Sequence, residues 1–271
     1  MYRIIRWSTR TAGAALGVLG LSLVAPMSLP TATAPGPNQG AALAATTTAT
    51  STAQAAGAAG KTAATKYRWG KVVAGDEFNY RGKPKSSKWS IYHSRGHDGR
   101  GLRRASAWNV NGSVATVTGS TKGVTGGMSS RYNQKYGRWE ARMKTNRRDA
   151  QYHPNILLWP QVKARSCPEV NFAESTNDTR RIKFFLHYGC KPSQTQASKV
   201  IDMTQWHNYA VEWTPRHITG YIDGVVWFRD TNRGHLPPGK MHASAQLDWF
   251  PSGRAPRVST MSIDWLRIYK A

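Results

Sequence analysis

The sequence predicts an all-β fold, a sandwich of antiparallel strands, on three observations. Short runs rich in aromatic and β-branched residues recur between turn residues. Several alternate with a period of two, and no segment carries a helical stripe of useful length. In chain order the runs are WGKVVAGDEF from Trp69, SAWNVNGSVATVTG from Ser106, KYGRWEARMKT from Lys135, EVNFAE from Glu169 and IKFFLHYG from Ile182. WHNYAVEWT from Trp206, HITGYIDGVVWF from His217, MHASAQLDWF from Met241 and TMSIDWLRIYK from Thr260 complete the series. Alternation is clearest where Arg138, Glu140 and Arg142 share one face of a strand and Trp139, Ala141 and Met143 the other. Asn111-Gly112 and Asp223-Gly224 read as hairpin turns. The tryptophans are first expected in the core, where aromatic rings dominate packing energy, although rings meant to stack on sugars would read the same.

Ahead of these runs, Arg3, Arg6 and Arg10 precede an apolar stretch that ends near Pro26, the form of a secretory signal, assigned to residues 1–34. The stretch is too short and too broken by Gly and Pro for a membrane span. Ala32-Thr33-Ala34 is a cleavage site of small residues, with Leu43-Ala44-Ala45 as a rival. Residues 35–66 are an Ala/Thr/Gly-rich tether with too little apolar area to offset the entropy of ordering it. Residues 67–271 suit one domain, in a secreted protein with no membrane span after processing. Removing residues 1–65 takes away four basic groups and no acidic ones, which leaves 34 basic against 14 acidic, a formal charge of +20. Cys167 and Cys190 are an even pair in an exported chain and predict a disulfide; two distant thiols without His spacing make a poor metal site.

In so basic a chain the stretch CPEVNFAES, Cys167–Ser175, stands out for its two glutamates. On a regular strand Glu169 and Glu174 point to opposite faces. One bulge residue near Phe172-Ala173 returns them to the same face, bringing their carboxyls to about 5–6 Å, the separation of a retaining glycosidase pair. Two solvated glutamates beside arginines fit the spacing as well.

The neighbouring motifs resemble glycoside hydrolase family 16, the laminarinase, lichenase, agarase and carrageenase family. GDEFN at Gly75–Asn79 looks like its opening strand, NQKYGRWEARMK at Asn133–Lys144 like its Y-G-[RK]-aromatic-E-x-R strand, and CPEVNFAE stands where the family has E-x-D-x-x-E. FFLHYG, WHNYAVEWTPRHITGYIDG and SIDWLRIYK match later strands in order. The resemblance spans about Trp69 to Tyr269 and implies a jelly-roll β-sandwich of two curved antiparallel sheets with a concave substrate cleft.

By that resemblance Glu169 is the nucleophile, Glu174 the acid/base and His187 a cleft residue. Asn171 replaces the family's central Asp, which removes a negative charge and adds a donor, so Glu174 is expected to lose its proton at lower pH than with Asp. His153 and Leu157 stand where aromatic subsite residues are usual, and Trp159 is a substitute on the same face as Leu157. AQLDWFPSG places Asp248 and Trp249 near the cleft. Catalysis needs no cofactor, but Glu77 and Asp264 match positions that hold a structural calcium in many members, a shell that two carboxylates cannot fill without backbone and water.

The leading expectation is therefore a secreted retaining endo-β-glycanase acting on a β-glucan or galactan, with a transglycosylase as a variant of the same chemistry. A non-catalytic carbohydrate-binding protein with the same cleft is the alternative that Asn171 favours. The expected partner is a polysaccharide, anionic or not, and a monomer is expected. No nucleic-acid motif accompanies the charge, so an anionic substrate or anionic cell-wall surface is its preferred counterpart. Arg103-Arg104 and Arg147-Arg148 are candidate contacts for it.

Overall fold

The computed structural model describes residues 61–162, 167–190 and 193–271; the signal assigned to 1–34 and the tether over 35–60 lie outside them. The strands are β1 (Val72–Asp76), β2 (Arg81–Gly82), β3 (Trp89–Ile91), β4 (Ser94–Arg95), β5 (Leu102–Arg103), β6 (Trp108–Asn111), β7 (Ala115–Gly119), β8 (Val124–Thr125), β9 (Gly127–Gln134) and β10 (Gly137–Thr145). They continue with β11 (Tyr152–Pro160), β12 (Glu169–Glu174), β13 (Arg181–His187), β14 (Gln194–Val200), β15 (His207–Trp213), β16 (Ile218–Ile222), β17 (Val225–Asp230), β18 (Met241–Trp249) and β19 (Ser259–Tyr269).

Two antiparallel sheets form the expected jelly-roll sandwich. One runs β17-β16-β15-β10-β19-β7-β6-β2, with β1 also on β19, and the other runs β14-β13-β12-β11-β18-β9-β3. A small additional sheet, β4-β5-β8, includes the parallel pair β5 and β8. β9, β11 and β14 join the expected strands.

The core lies between the two large sheets. On β10 the predicted inward set, Trp139, Ala141 and Met143, is fully buried, and Trp139 stacks on Trp213 of β15. From the other sheet Ile156, Leu158, Val170, Phe172, Phe184 and Leu186 meet them in one cluster. Most tryptophans pack as expected: Trp69, Trp89, Trp108, Trp139, Trp213 and Trp265 are buried, whereas Trp159 is 46% exposed. The Asp223-Gly224 turn joins β16 to β17 with φ of 50° and 71°, the left-handed pair that a tight hairpin requires.

Residues 61–66, placed in the tether by composition, are part of the fold instead. Thr62 caps a one-turn helix, α1 (Ala63–Lys66), which lies on the outer face of β10. Glu140 accepts hydrogen bonds from the Ala63 and Ala64 amides at 2.6 and 3.2 Å, so a carboxyl on the solvent side of the alternation is buried. Burial pushes Glu140 up to about 7, and the two amide donors pull against that rise. Trp69 follows and packs edge-on against Tyr221 and Tyr269. Composition cannot reveal this anchor, because the partner carboxyl is 77 residues away.

Cys167 and Cys190 form the predicted disulfide. Glu169 pairs with His187 rather than Tyr188, one residue from the expected register. The bridge closes a loop of 23 residues just before β12. Replacing both cysteines with Ala should lower unfolding free energy by roughly 3 kcal/mol, read from the denaturant midpoint at constant slope. An unchanged midpoint would show that the bridge adds nothing to the fold.

Candidate active site

β12 brings two carboxyls to one face by the anticipated irregularity. Asn171 pairs with Phe185 and Glu174 with Lys183, a shift of one position within three residues, and β11 records the same shift between Ile156 and Leu157. Phe172 and Ala173 take up the extra residue, and both are buried. Glu169, Asn171 and Glu174 therefore line a single cleft of about 850 Å³ on the outer face of their sheet.

The strand is held at each end. The disulfide grips it ahead of Glu169, and Arg148 grips it beyond Glu174 by donating to the Ser175 hydroxyl and the Thr176 carbonyl. Arg148, a sequence candidate for anion contact, is therefore a buried brace that also donates to the carbonyls of Asp149 and Tyr152.

Asn171 Nδ2 donates to Glu174 Oε2 at 2.7 Å, and Asn155 Nδ2 stands 3.5 Å from the same oxygen. Burial pushes Glu169 up to about 7, against the Asn171 amide, which favours its charged form. Glu174 rises to about 8, first through burial and then through the charge of Glu169, while the Asn171 bond pulls it down. Asp248 raises both. The Asn171 bond lowers Glu174, but burial outweighs it and favours the protonated form near neutrality.

His187, His153, Trp159, Arg103 and Asp248 all line the cleft, as the sequence placed them. His153 stacks on Phe250 at 4.0 Å, and burial, aided by the charge of Arg148, lowers it to about 3. Burial likewise lowers His187 and His242, so these rings act as neutral hydrogen-bonding groups. Arg103 is ion-paired with Asp248. Trp249 turns away: alternation from Asp248 sends it to the opposite face, where a Cβ on Gly123 would fall 2.4 Å from its ring. Arg104 and Arg147 are outside the lining.

Sequence reasoning missed Asn155, Phe185, His242, Gln246 and Phe250. Three were within reach of the period of two, since Asn155 follows His153, Phe185 precedes His187 and Gln246 precedes Asp248 by one alternation. Tyr92, Ser94 and His97 come from the stretch between β3 and β5, where strands of two or three residues leave no periodic signal.

The calcium candidates do not fit an ion. Both Glu77 oxygens accept from Arg267 at 2.8 Å, and Asp264 pairs with Arg142 at 3.1 Å. Among the described residues no group of three or more His, Cys, Asp or Glu could hold a metal. No helix among them is long and apolar enough to cross a membrane.

Comparison with known proteins agrees with this architecture. Residues 101–267 match the profile of glycosyl hydrolases family 16. The laminarinase from Rhodothermus marinus superposes with a TM-score of 0.66 at 20% identity, covering 74% of this chain and 97% of that one. The catalytic domain of an endo-1,3-β-glucanase from Thermotoga petrophila gives 0.65 at 15%, covering 74% and 97%. An immunostimulatory antigen and pseudo β-1,3-glucanase of Mycobacterium tuberculosis gives 0.64 at 20%, covering 74% and 100%. A search of curated protein sequences finds no match.

The two raised carboxyls predict a stability signature independent of any substrate. Each binds its proton more tightly in the fold than at the ordinary value of 4.5, so its contribution is complete below that pH and is lost as pH rises through about 7 to 8. Glu169→Gln and Glu174→Gln should match the parent near pH 4 and exceed it by about 2–4 kcal/mol at pH 9. Denaturant unfolding at the two pH values checks this, and a gap that does not change with pH would contradict the burial account.

Proposed function

Since the chain belongs to glycosyl hydrolases family 16, we propose that it is a secreted retaining endo-β-glycanase that cleaves a neutral β-glucan, with β-1,3-glucan as the leading substrate. The observation that carries this reading is the pair of glutamates turned onto one face of β12, both influenced by the single Asn171 amide. Carboxyls that share one small side chain favour the close spacing of a retaining pair over the separation of about 6.5–9.5 Å with which an inverting pair holds its water. The disulfide supports an oxidising compartment.

Double displacement needs one carboxylate charged and one protonated; the match to the family motif gives Glu169 the first role and Glu174 the second, and the charge of Glu169, which raises Glu174, supports that order. The Glu169 carboxylate attacks the anomeric carbon while Glu174 gives its proton to the departing glycosidic oxygen. The glycosyl ester then reacts with water, whose proton returns to Glu174 as its oxygen displaces Glu169. Asn155 and Asn171 hold the Glu174 oxygen in place through both steps.

A neutral substrate follows from the lining. Among the described residues Arg103 is the one Lys or Arg that lines the cleft, and Asp248 already neutralises it. Sulfate or carboxylate on the sugar would meet Glu169, Glu174 and Asp248 with no unpaired Lys or Arg among the described lining residues. The binding-protein reading keeps one specific support, the donor that Asn171 puts where the family pattern has a carboxylate.

On a panel of neutral β-glucans, neutral galactan and sulfated galactan, new reducing ends should form from a neutral β-glucan and not from sulfated galactan. Glu169→Gln and Glu174→Gln should each lower kcat at least about 10³-fold while retaining glycan binding. No turnover of any neutral glycan by the parent protein would favour the binding protein. Asn171→Asp should move the basic limb of the pH–rate profile up by about one unit, because a charge is added beside Glu174 and a donor is lost. An unmoved limb would show that position 171 is not coupled to the acid.

A further inference from the structure

The cleft accounts for none of the domain's excess positive charge. A second cavity of about 210 Å³ lies at the opposite edge of the same sheet, where β3 pairs with β9 beside β1. Lys88, Arg131, Ser87, Ser130 and Tyr132 line it, and no carboxylate does. Asp76, the nearest acid, sits buried behind Lys88 and is consumed by the Phe78 amide, the Tyr80 hydroxyl, Lys88 and the Trp89 indole.

Arg131 is fixed in place. Its backbone amide donates to the Lys88 carbonyl and its Nε to the Ser86 carbonyl at 2.6 Å, while the terminal guanidinium nitrogens have no partner among the described residues. Lys270 reaches the rim by donating to the Tyr132 hydroxyl at 2.9 Å, and the segment RGKPKSSK, residues 81–88, supplies Lys85 close by, its ammonium 4.4 Å from the Tyr80 ring centre.

We propose that this edge pocket binds a tetrahedral oxyanion, a sulfate or phosphate ester, on an anionic polysaccharide to which the domain docks independently of its cleft. The anchored guanidinium presents its two terminal NH2 groups in the fork that suits such an anion, the Lys88 ammonium, though paired with Asp76, keeps N–H bonds for a second acceptor, and the Ser87 hydroxyl is a further donor. The volume takes one ester group with its first waters, a liquid water claiming about 30 Å³. A polysaccharide is favoured over single-stranded nucleic acid because the pocket offers no open aromatic face: Trp89 is buried and the Tyr132 ring is capped by Lys270.

The test uses dextran sulfate and dextran phosphate at low salt, with neutral dextran and DNA as further arms. Lys85→Gln/Arg131→Gln leaves the Asp76–Lys88 pair intact and should weaken binding of the charged dextrans about tenfold. The control Arg216→Gln/Arg229→Gln makes the same change in net charge elsewhere and should weaken binding less than about twofold. Neutral-glucan hydrolysis should be unaltered in both, which separates this site from the cleft. Preference for one dextran names the ester. Equal losses in the two variants would reduce the effect to diffuse charge and overturn the site, as would a parent protein that ignores both polymers or binds DNA more tightly.

Discussion

Two carboxyl groups crowded together on one cleft wall, with much of their hydration removed, are the constraint on which the rest of the structure turns. Neither burial nor like-charge proximity is favourable for an ionised Glu, and Glu169 and Glu174 suffer both. A strand free to relax would rotate one of them out. β12 cannot, because the disulfide holds its start, Arg148 holds the chain beyond its end, and Phe172 and Ala173 commit the bulge to the core between the sheets. The sandwich therefore carries at this strand an electrostatic cost that its large apolar interior offsets.

Asn171 sits at the balance point of that arrangement. Its amide nitrogen donates to Glu174 while adding no third charge to the pair. The usual carboxylate would raise the acid further, whereas here desolvation and Glu169 supply most of the rise. Asp248 contributes from β18, two strands away, although Arg103 shares its charge. The site thus reaches a protonated acid at neutral pH through dielectric and geometry more than through neighbouring charge.

What could be read in the sequence was local and periodic. The bulge followed from requiring Glu169 and Glu174 to share a face, and the β10 interior followed from alternation. β9 and β14 escaped notice because GMSSRYNQ and QTQASKV are largely polar, and β11 was legible only around Leu157 and Trp159 because Pro154 and a run of apolar residues obscure its period. The larger errors were pairings between distant segments. Nothing near Glu140 announces that it caps Ala63 and Ala64, nothing near Arg148 announces Thr176, and Trp249 looks like a sugar platform until Gly123 is brought against it. Charge misled in the same way, since composition records how many arginines there are but not that those near the cleft are already engaged.

The helical turn seated on Glu140 gives the domain a direction. It rests on the outer surface of the β10 sheet, while the cleft opens from the outer surface of the other sheet. The chain therefore enters the sandwich from behind, with a full two-layer thickness between its point of entry and the glutamates. Pulling on the entering chain loads the Glu140 contacts and β10 before the sheet that carries β12. A domain joined in this way can be held by its back without crowding the mouth through which a long polymer passes.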